Sequence, residues 1–153
     1  MDAISIRNIK YSKFYVLLII FSFGCLSSKQ NHTEEEKFLL QVDFQDFFNN
    51  DKVGLRVGNC LVFENLEITS DEVLGLTPLI VKIYSKGPNG TKISYIDNTK
   101  SCNSKSIDSI FIIINGREIR YSINAGKGRY VGLSKKNYNE LDLKQSEKPF
   151  MYE

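Results

Sequence analysis

Short apolar segments separated by strong turn signals constrain the fold of this chain more than any other feature of its sequence. Between Val53 and Val57, apolar residues alternate with Gly and Arg, which is the period of a half-buried β-strand. The apolar run Ile110–Ile114 is followed by Asn115-Gly116, a pair that favours the tight turn of a β-hairpin. About eight short strands recur at a spacing of roughly 8–12 residues, which predicts an all-β fold, an antiparallel β-sandwich.

Three segments after residue 37 have patterns that do not show simple alternation, and each is interpreted separately. Phe38–Phe48 has apolar residues at both helical and strand spacing, and we predict a strand over residues 38–44 followed by a loop. Asn98–Ser106 is almost entirely polar, which predicts a loop. Ile110–Ile114 is apolar at every position, which predicts a central strand that is covered on both faces.

The first 24 residues have the composition of an export signal. Arg7, Lys10 and Lys13 precede the apolar run Phe14–Phe23, and a polar segment follows. This order of basic, apolar and small residues is typical of a secretory signal peptide. A run of about 10 apolar residues is short for a membrane-spanning helix, which needs about 20.

Gly24-Cys25 follows the apolar run directly and resembles the lipobox of bacterial lipoproteins. The resemblance covers only the leader. It implies that Cys25 becomes the first mature residue and carries the lipid that holds the protein at the membrane. Leu26 stands where Asp would direct retention, so the resemblance favours the outer membrane of the cell envelope. The alternative is a secreted soluble domain that is cleaved near Ser27.

These features divide the chain into three parts. We predict a lipoprotein signal peptide over residues 1–24, a flexible tether over residues 25–37 and one β-sandwich domain over residues 38–153. Cys60 and Cys102 remain in the domain once Cys25 is lipidated or removed. Two cysteines in an exported domain favour a disulfide, and two buried reduced thiols are the alternative.

The inventory of reactive residues argues against an enzyme. His32, the single His among 153 residues, lies in the tether, which removes Ser-His-Asp and Cys-His arrangements. No Cys-x-x-Cys or Cys/His cluster is present, and the formal charge is only +2, so we predict no metal, no cofactor and no nucleic-acid partner. A carboxylate-based hydrolase remains as an alternative if four carboxylates converge in one cleft: Asp43, Asp46, Asp71 and Glu72.

Aromatic residues toward the C-terminus suggest a recognition surface. We predict a candidate binding surface at Tyr130, Tyr138 and Tyr152, with ordinary core or loop positions as the alternative. The function predicted from the sequence is a lipid-anchored, non-catalytic binding module of the cell envelope. Its partner would be another envelope protein, a toxin or a glycan. A structural envelope component without a ligand is the second hypothesis.

Charge is distributed unevenly along the chain. Residues 33–80 carry 3 basic against 10 acidic side chains, a net of −7, and residues 81–153 carry 13 against 7, a net of +6. Depending on topology, these halves either interleave or form two poles on the folded domain.

Overall fold

The computed structural model describes residues 36–151, apart from residues 105, 106 and 139. This part of the chain forms ten β-strands and two single-turn 3₁₀ helices, Gly87–Asn89 and Ala125–Lys127. The strands are β1 (Phe38–Phe44), β2 (Asp51–Val57), β3 (Cys60–Ile68), β4 (Ile80–Lys86), β5 (Gly90–Tyr95), β6 (Asn98–Cys102), β7 (Ser109–Ile114), β8 (Arg117–Ser122), β9 (Tyr130–Asn137) and β10 (Glu140–Ser146). No helix in these ranges is long and apolar enough to cross a membrane.

The strands form two sheets that enclose one core. A six-stranded sheet has the order β10-β9-β1-β4-β5-β6, and a four-stranded sheet has the order β3-β2-β7-β8. Neighbouring strands are antiparallel except for β1 and β9, which pair in parallel with Val42 opposite Val131. The all-β sandwich predicted from the sequence is confirmed, with ten strands in place of about eight and one parallel pair.

Alternation along the strands directs one row of side chains into the core. The inward residues of β1, β2 and β7 are almost completely shielded from solvent, and each such Leu, Ile, Val or Phe contributes roughly 1.5–3 kcal/mol through burial. These residues are Leu40, Val42, Phe44, Val53, Leu55, Val57, Ile110, Ile112 and Ile114.

Of the three segment predictions, the structure confirms one and contradicts two. The strand over residues 38–44 is confirmed as β1, whereas the loop predicted over 98–106 is wrong at its start, where β6 forms. β6 is polar because it is an exposed edge strand that pairs only with β5. β7 is an inner strand, but Phe111 and Ile113 on its outward face are only half-buried, so the prediction of full cover on both faces is wrong.

Strand register defines the two ends of the sandwich. Val42 lies opposite Val81 and Val131, so β1 and β9 run toward the end at which β4 begins. We call this the far end, and the end at which β1 begins the near end. Five connections lie at the far end: residues 45–50, 69–79, 96–97 and 115–116, and the connection from β9 to β10, which contains Tyr138.

The acidic and basic halves of the sequence interleave in this topology. β1, from the acidic half, lies between β4 and β9, and β2 pairs with β7. The fold therefore does not separate the two halves into two sheets of opposite charge.

Candidate functional site

The far end carries most of the exposed large hydrophobic side chains among the described residues. Among the described residues, eight large hydrophobic side chains are exposed, and five of these eight lie in far-end connections. Phe47 is 75% exposed and Val73 is 89% exposed. The five residues, which we call the far-end apolar set, are Phe47, Val73, Leu74, Ile96 and Tyr138. Single exposed apolar residues are ordinary, whereas a concentration at one end of a domain indicates an interaction surface.

A groove of about 410 Å³ lies beside Phe47. The connection between β1 and β2 forms one wall of the groove, and the connection between β3 and β4 forms the other. Asp46 and Phe47 come from the first connection, and Asp71, Glu72 and Gly75 come from the second. Carboxylates and an exposed aromatic ring therefore share one concave site.

The connection between β3 and β4 is a compact loop that its own hydrogen bonds hold in place. Asp71 Oδ1 accepts hydrogen bonds from the backbone N–H groups of Val73 at 2.8 Å and Leu74 at 2.9 Å. These two bonds lower the pKa of Asp71 below its usual range. Gly75 has a φ of 62°, and a Cβ at this position would collide with Asp46 Oδ1. The loop therefore presents Val73 and Leu74 to solvent in a defined conformation.

In the connection between β1 and β2, Phe47 is exposed and the next residue, Phe48, is buried. Phe48 is buried, and its N–H donates to Ser70 Oγ at 3.0 Å, while the Ser70 N–H donates to the Phe48 carbonyl at 2.9 Å. Phe47 has a φ of 70°, a left-handed conformation that bulky L-residues rarely adopt. Backbone strain of this kind concentrates at functional sites, where the surrounding contacts maintain it.

A buried ion pair supports this end of the molecule. Asp51 is 3% exposed and accepts hydrogen bonds from Lys135 Nζ at 2.7 and 2.8 Å, from Asn115 Nδ2 at 2.8 Å and from the Asn49 N–H at 2.8 Å. Burial raises the pKa of Asp51, but these hydrogen bonds outweigh burial, so the pKa lies below its usual range. Asn115 Nδ2 also donates to the carbonyl of Tyr138 at 3.1 Å. Asp51 thus links the connections 45–50 and 115–116 to Lys135 on β9, and so bridges the two sheets.

The aromatic residues predicted as a binding surface are not brought together. Tyr130 begins β9 and packs against Phe38, with ring centroids 5.6 Å apart, whereas Tyr138 follows the end of the same strand and is exposed. Tyr138 lies eight positions after Tyr130, which along a strand is a distance of roughly 26 Å. Tyr152 lies outside the described residues. Tyr138 alone belongs to the far-end apolar set.

Three of the four predicted carboxylates line the groove, and Asp43 does not. Asp43 is buried on β1 and accepts a hydrogen bond from Gln41 Nε2 at 2.8 Å. Burial raises the pKa of Asp43, although Gln41 and Lys82 act against this effect. In the groove, Asp71 is an ionised cap of its own loop, which suits a structural role better than proton donation. Among the described residues, no group of three or more His, Cys, Asp or Glu side chains is arranged to hold a metal ion.

The disulfide predicted between Cys60 and Cys102 is present, with the two Cα atoms 5.9 Å apart. Cys60 begins β3, an edge strand of the four-stranded sheet, and Cys102 ends β6, an edge strand of the six-stranded sheet. The bond therefore joins the two sheets along one side of the sandwich. Three features predicted from the sequence lie outside the described residues, as does His32: the signal peptide over 1–24, the lipid site Cys25 and the tether up to residue 35.

Neither protein-family models, curated proteins nor solved structures give a match to this chain. What the protein does is therefore inferred from its own residues. The sequence alone did not predict the far-end apolar set as a site. The available signal was the adjacent apolar pair Val73-Leu74 between turn-forming residues, outside any strand pattern.

Proposed function

We propose that this protein is an exported lipoprotein, anchored at the outer membrane through Cys25, that binds a partner protein through its far end and has no catalytic role. The observation that carries this proposal is the clustering of the far-end apolar set in connections at one end of the sandwich. Connections at the end of a rigid β-sandwich are common positions for binding residues.

The direction of β1 supports an anchored orientation. The tether over 25–37 leads into Phe38 at the near end, so a lipid on Cys25 would hold the near end toward the bilayer. A flexible tether of this length spans roughly 20 Å on average. Lys37, Lys127 and Arg129 lie at the near end, where basic side chains favour an anionic membrane surface. The far end would then point away from the membrane and remain accessible.

The disulfide supports the export step. Disulfides form and persist in oxidising compartments outside the cytosol. A bond between Cys60 and Cys102 agrees with a domain that crosses the inner membrane before it folds. The secreted soluble domain cleaved near Ser27 shares this support, so the lipid itself must be measured.

The chemistry of the far end favours a protein over a glycan. Glycan sites present aromatic faces beside hydrogen-bonding groups, as Phe47 and Asp46 do, but Val73 and Leu74 add exposed aliphatic surface that favours burial against a protein. A structural envelope component without a partner is the second hypothesis, and it gives no role to the far-end apolar set.

Mass spectrometry of the protein from its native envelope tests the anchor. We expect an N-terminal peptide that begins at Cys25 and carries a diacylglyceryl group, and we expect Cys25→Ser to release the protein from the membrane fraction. An unmodified N-terminus at Ser27 or Ser28 would contradict the lipid anchor and favour a secreted protein.

Native electrophoresis of mild detergent extracts tests the partner. We expect the wild-type protein to migrate in a complex larger than a single chain and the variant Val73→Ser/Leu74→Ser to migrate alone. Leu61→Ser, which removes an exposed aliphatic side chain near the start of β3 at the near end, serves as the matched control and should retain the complex. Migration of the wild-type protein as a single chain would favour the structural hypothesis.

A further inference from the structure

The groove at the far end combines negative charge with apolar surface. The connections 45–50 and 69–79, which form its walls, contain Asp46, Asp71 and Glu72 and no Lys or Arg. Lys135, on the adjoining strand β9, is held at 2.7 Å by Asp51 and is only 14% exposed along its side chain. Its charge is therefore neutralised by Asp51 and does not offset the carboxylates of the groove.

These carboxylates have fixed positions relative to the apolar residues. Asp71 Oδ1 accepts hydrogen bonds from the backbone N–H groups of Val73 and Leu74, so its charge lies close to both residues. Asp46 lies against Gly75 and precedes Phe47 in the chain. Phe47 in the groove lining, and Val73 and Leu74 in the adjoining connection, thus each have a carboxylate close by.

We propose that the groove binds a segment of the partner protein in which Lys or Arg adjoins an aliphatic or aromatic side chain. This inference rests on the proposed function and identifies the chemistry of its partner. The cation would pair with Asp71 and Glu72, and the apolar side chain would contact Phe47, the exposed aromatic residue of the groove lining. A volume of about 410 Å³ falls within the range of roughly 300–1,000 Å³ that binding pockets occupy, which is sufficient for more than one side chain.

Charge complementarity selects this occupant over the other macromolecules of an envelope. Anionic lipid headgroups and nucleic acids would place phosphate next to the three carboxylates, and like charges in contact oppose binding. Acidic protein segments are disfavoured for the same reason. A basic and apolar segment satisfies both components of the groove.

Two short amphipathic peptides test the inference against the full chain in detergent. They share the same Leu and Phe positions and differ only in carrying Lys or Glu at the remaining positions. We expect the Lys peptide to shift the backbone amide signals of Phe47, Val73 and Leu74 and to bind at least about 10-fold more tightly than the Glu peptide at low salt.

Isosteric variants identify the charges responsible. Asp71→Asn/Glu72→Gln removes two charges but keeps an oxygen that caps Val73 and Leu74, and we expect it to weaken the Lys peptide by about 3- to 10-fold at low salt. Glu64→Gln/Glu147→Gln removes two exposed charges outside the groove and should leave affinity unchanged.

The outcomes separate this inference from the proposed function. Equal binding of the two peptides, preference for the Glu peptide or shifts confined to other surfaces would overturn the cationic partner. A lack of binding by either peptide would overturn it as well. The proposed function would still stand in these cases if the native complex depends on Val73 and Leu74, because that measurement does not depend on charge.

Discussion

Lys135 and Asp51 join the two sheets of the sandwich at the end that carries its exposed apolar residues. Their side chains meet at 2.7 Å, with 14% and 4% of their surfaces exposed. Lys136, the next residue, instead reaches Asp142 at 3.9 Å in an exposed position. Neighbouring lysines thus hold one buried and one exposed ion pair, which allows a controlled comparison.

Lys135→Met should destabilise the domain by about 2–4 kcal/mol, because it leaves a buried carboxylate without its cation. Lys136→Met should change the free energy of unfolding by less than about 0.5 kcal/mol. The chain has no Trp, so urea unfolding followed by far-UV circular dichroism is the suitable measurement. Equal effects of the two substitutions would show that the Asp51 pair does not support the far end.

The buried pair also has a defined pH dependence. The folded state lowers the pKa of Asp51, so the stabilisation is complete above the unfolded value of 3.8 and is lost as pH falls through the folded pKa. The difference in the free energy of unfolding between Lys135→Met and the wild type should therefore be full at neutral pH and should shrink in strong acid.

Asp43→Asn should stabilise the domain at neutral pH. Burial raises the pKa of Asp43 in the folded state, so its favourable contribution exists below 3.8 and is lost as pH rises through the folded pKa. Asn removes the charge and can still accept the hydrogen bond from Gln41. Thermal unfolding from pH 3 to pH 7 should show a gain that grows with pH. Asp97→Asn in an exposed turn is the control, and a gain of the same size there would contradict the burial effect.

Removal of the disulfide should lower stability by about 2–4 kcal/mol, because the bond closes a loop across a sequence separation of 42 residues. The variant Cys60→Ser/Cys102→Ser should unfold at the same urea concentration as the reduced wild-type protein. Dithiothreitol should leave the double variant unchanged. Sensitivity of the variant to the reductant would mean that some other group responds.

Phe47→Gly should be more stable than Phe47→Ala by about 1 kcal/mol. Both substitutions remove the exposed ring, but only Gly adopts the φ of 70° without the cost of about 1–2 kcal/mol that an L-residue incurs there. Both variants should also lose partner binding. Greater stability of the Ala variant would show that the backbone at this position is not strained.

Local patterns were sufficient to predict much of the fold. Alternation in Val53–Val57 and the Asn115-Gly116 turn depend on neighbouring residues, and the structure contains β2 and the hairpin of β7 and β8 at these positions. The disulfide was predicted from the two cysteines that the domain contains, Cys60 and Cys102, and the structure contains it. β6 was missed because its pairing with β5 uses backbone hydrogen bonds, which its polar side chains do not indicate.

The candidate site depended on long-range topology, which the local sequence does not determine. Phe47 and Glu72 belong to different connections, and the strand order brings both to the same groove. Tyr130 and Tyr138, by contrast, are close in sequence but are separated by the full length of β9. Residues that are close in sequence can lie at opposite ends of an extended strand, so their proximity in sequence did not identify a shared binding surface.

Site-specific photo-crosslinking in intact cells tests the central claim most directly. A photoreactive phenylalanine analogue at position 47 retains the exposed ring, and the same group at Lys144 on β10 samples a strand away from the far end. We expect position 47 to form a crosslink to one partner protein and position 144 to form none. Crosslinks of equal yield at both positions, or none at position 47, would contradict a binding surface at the far end.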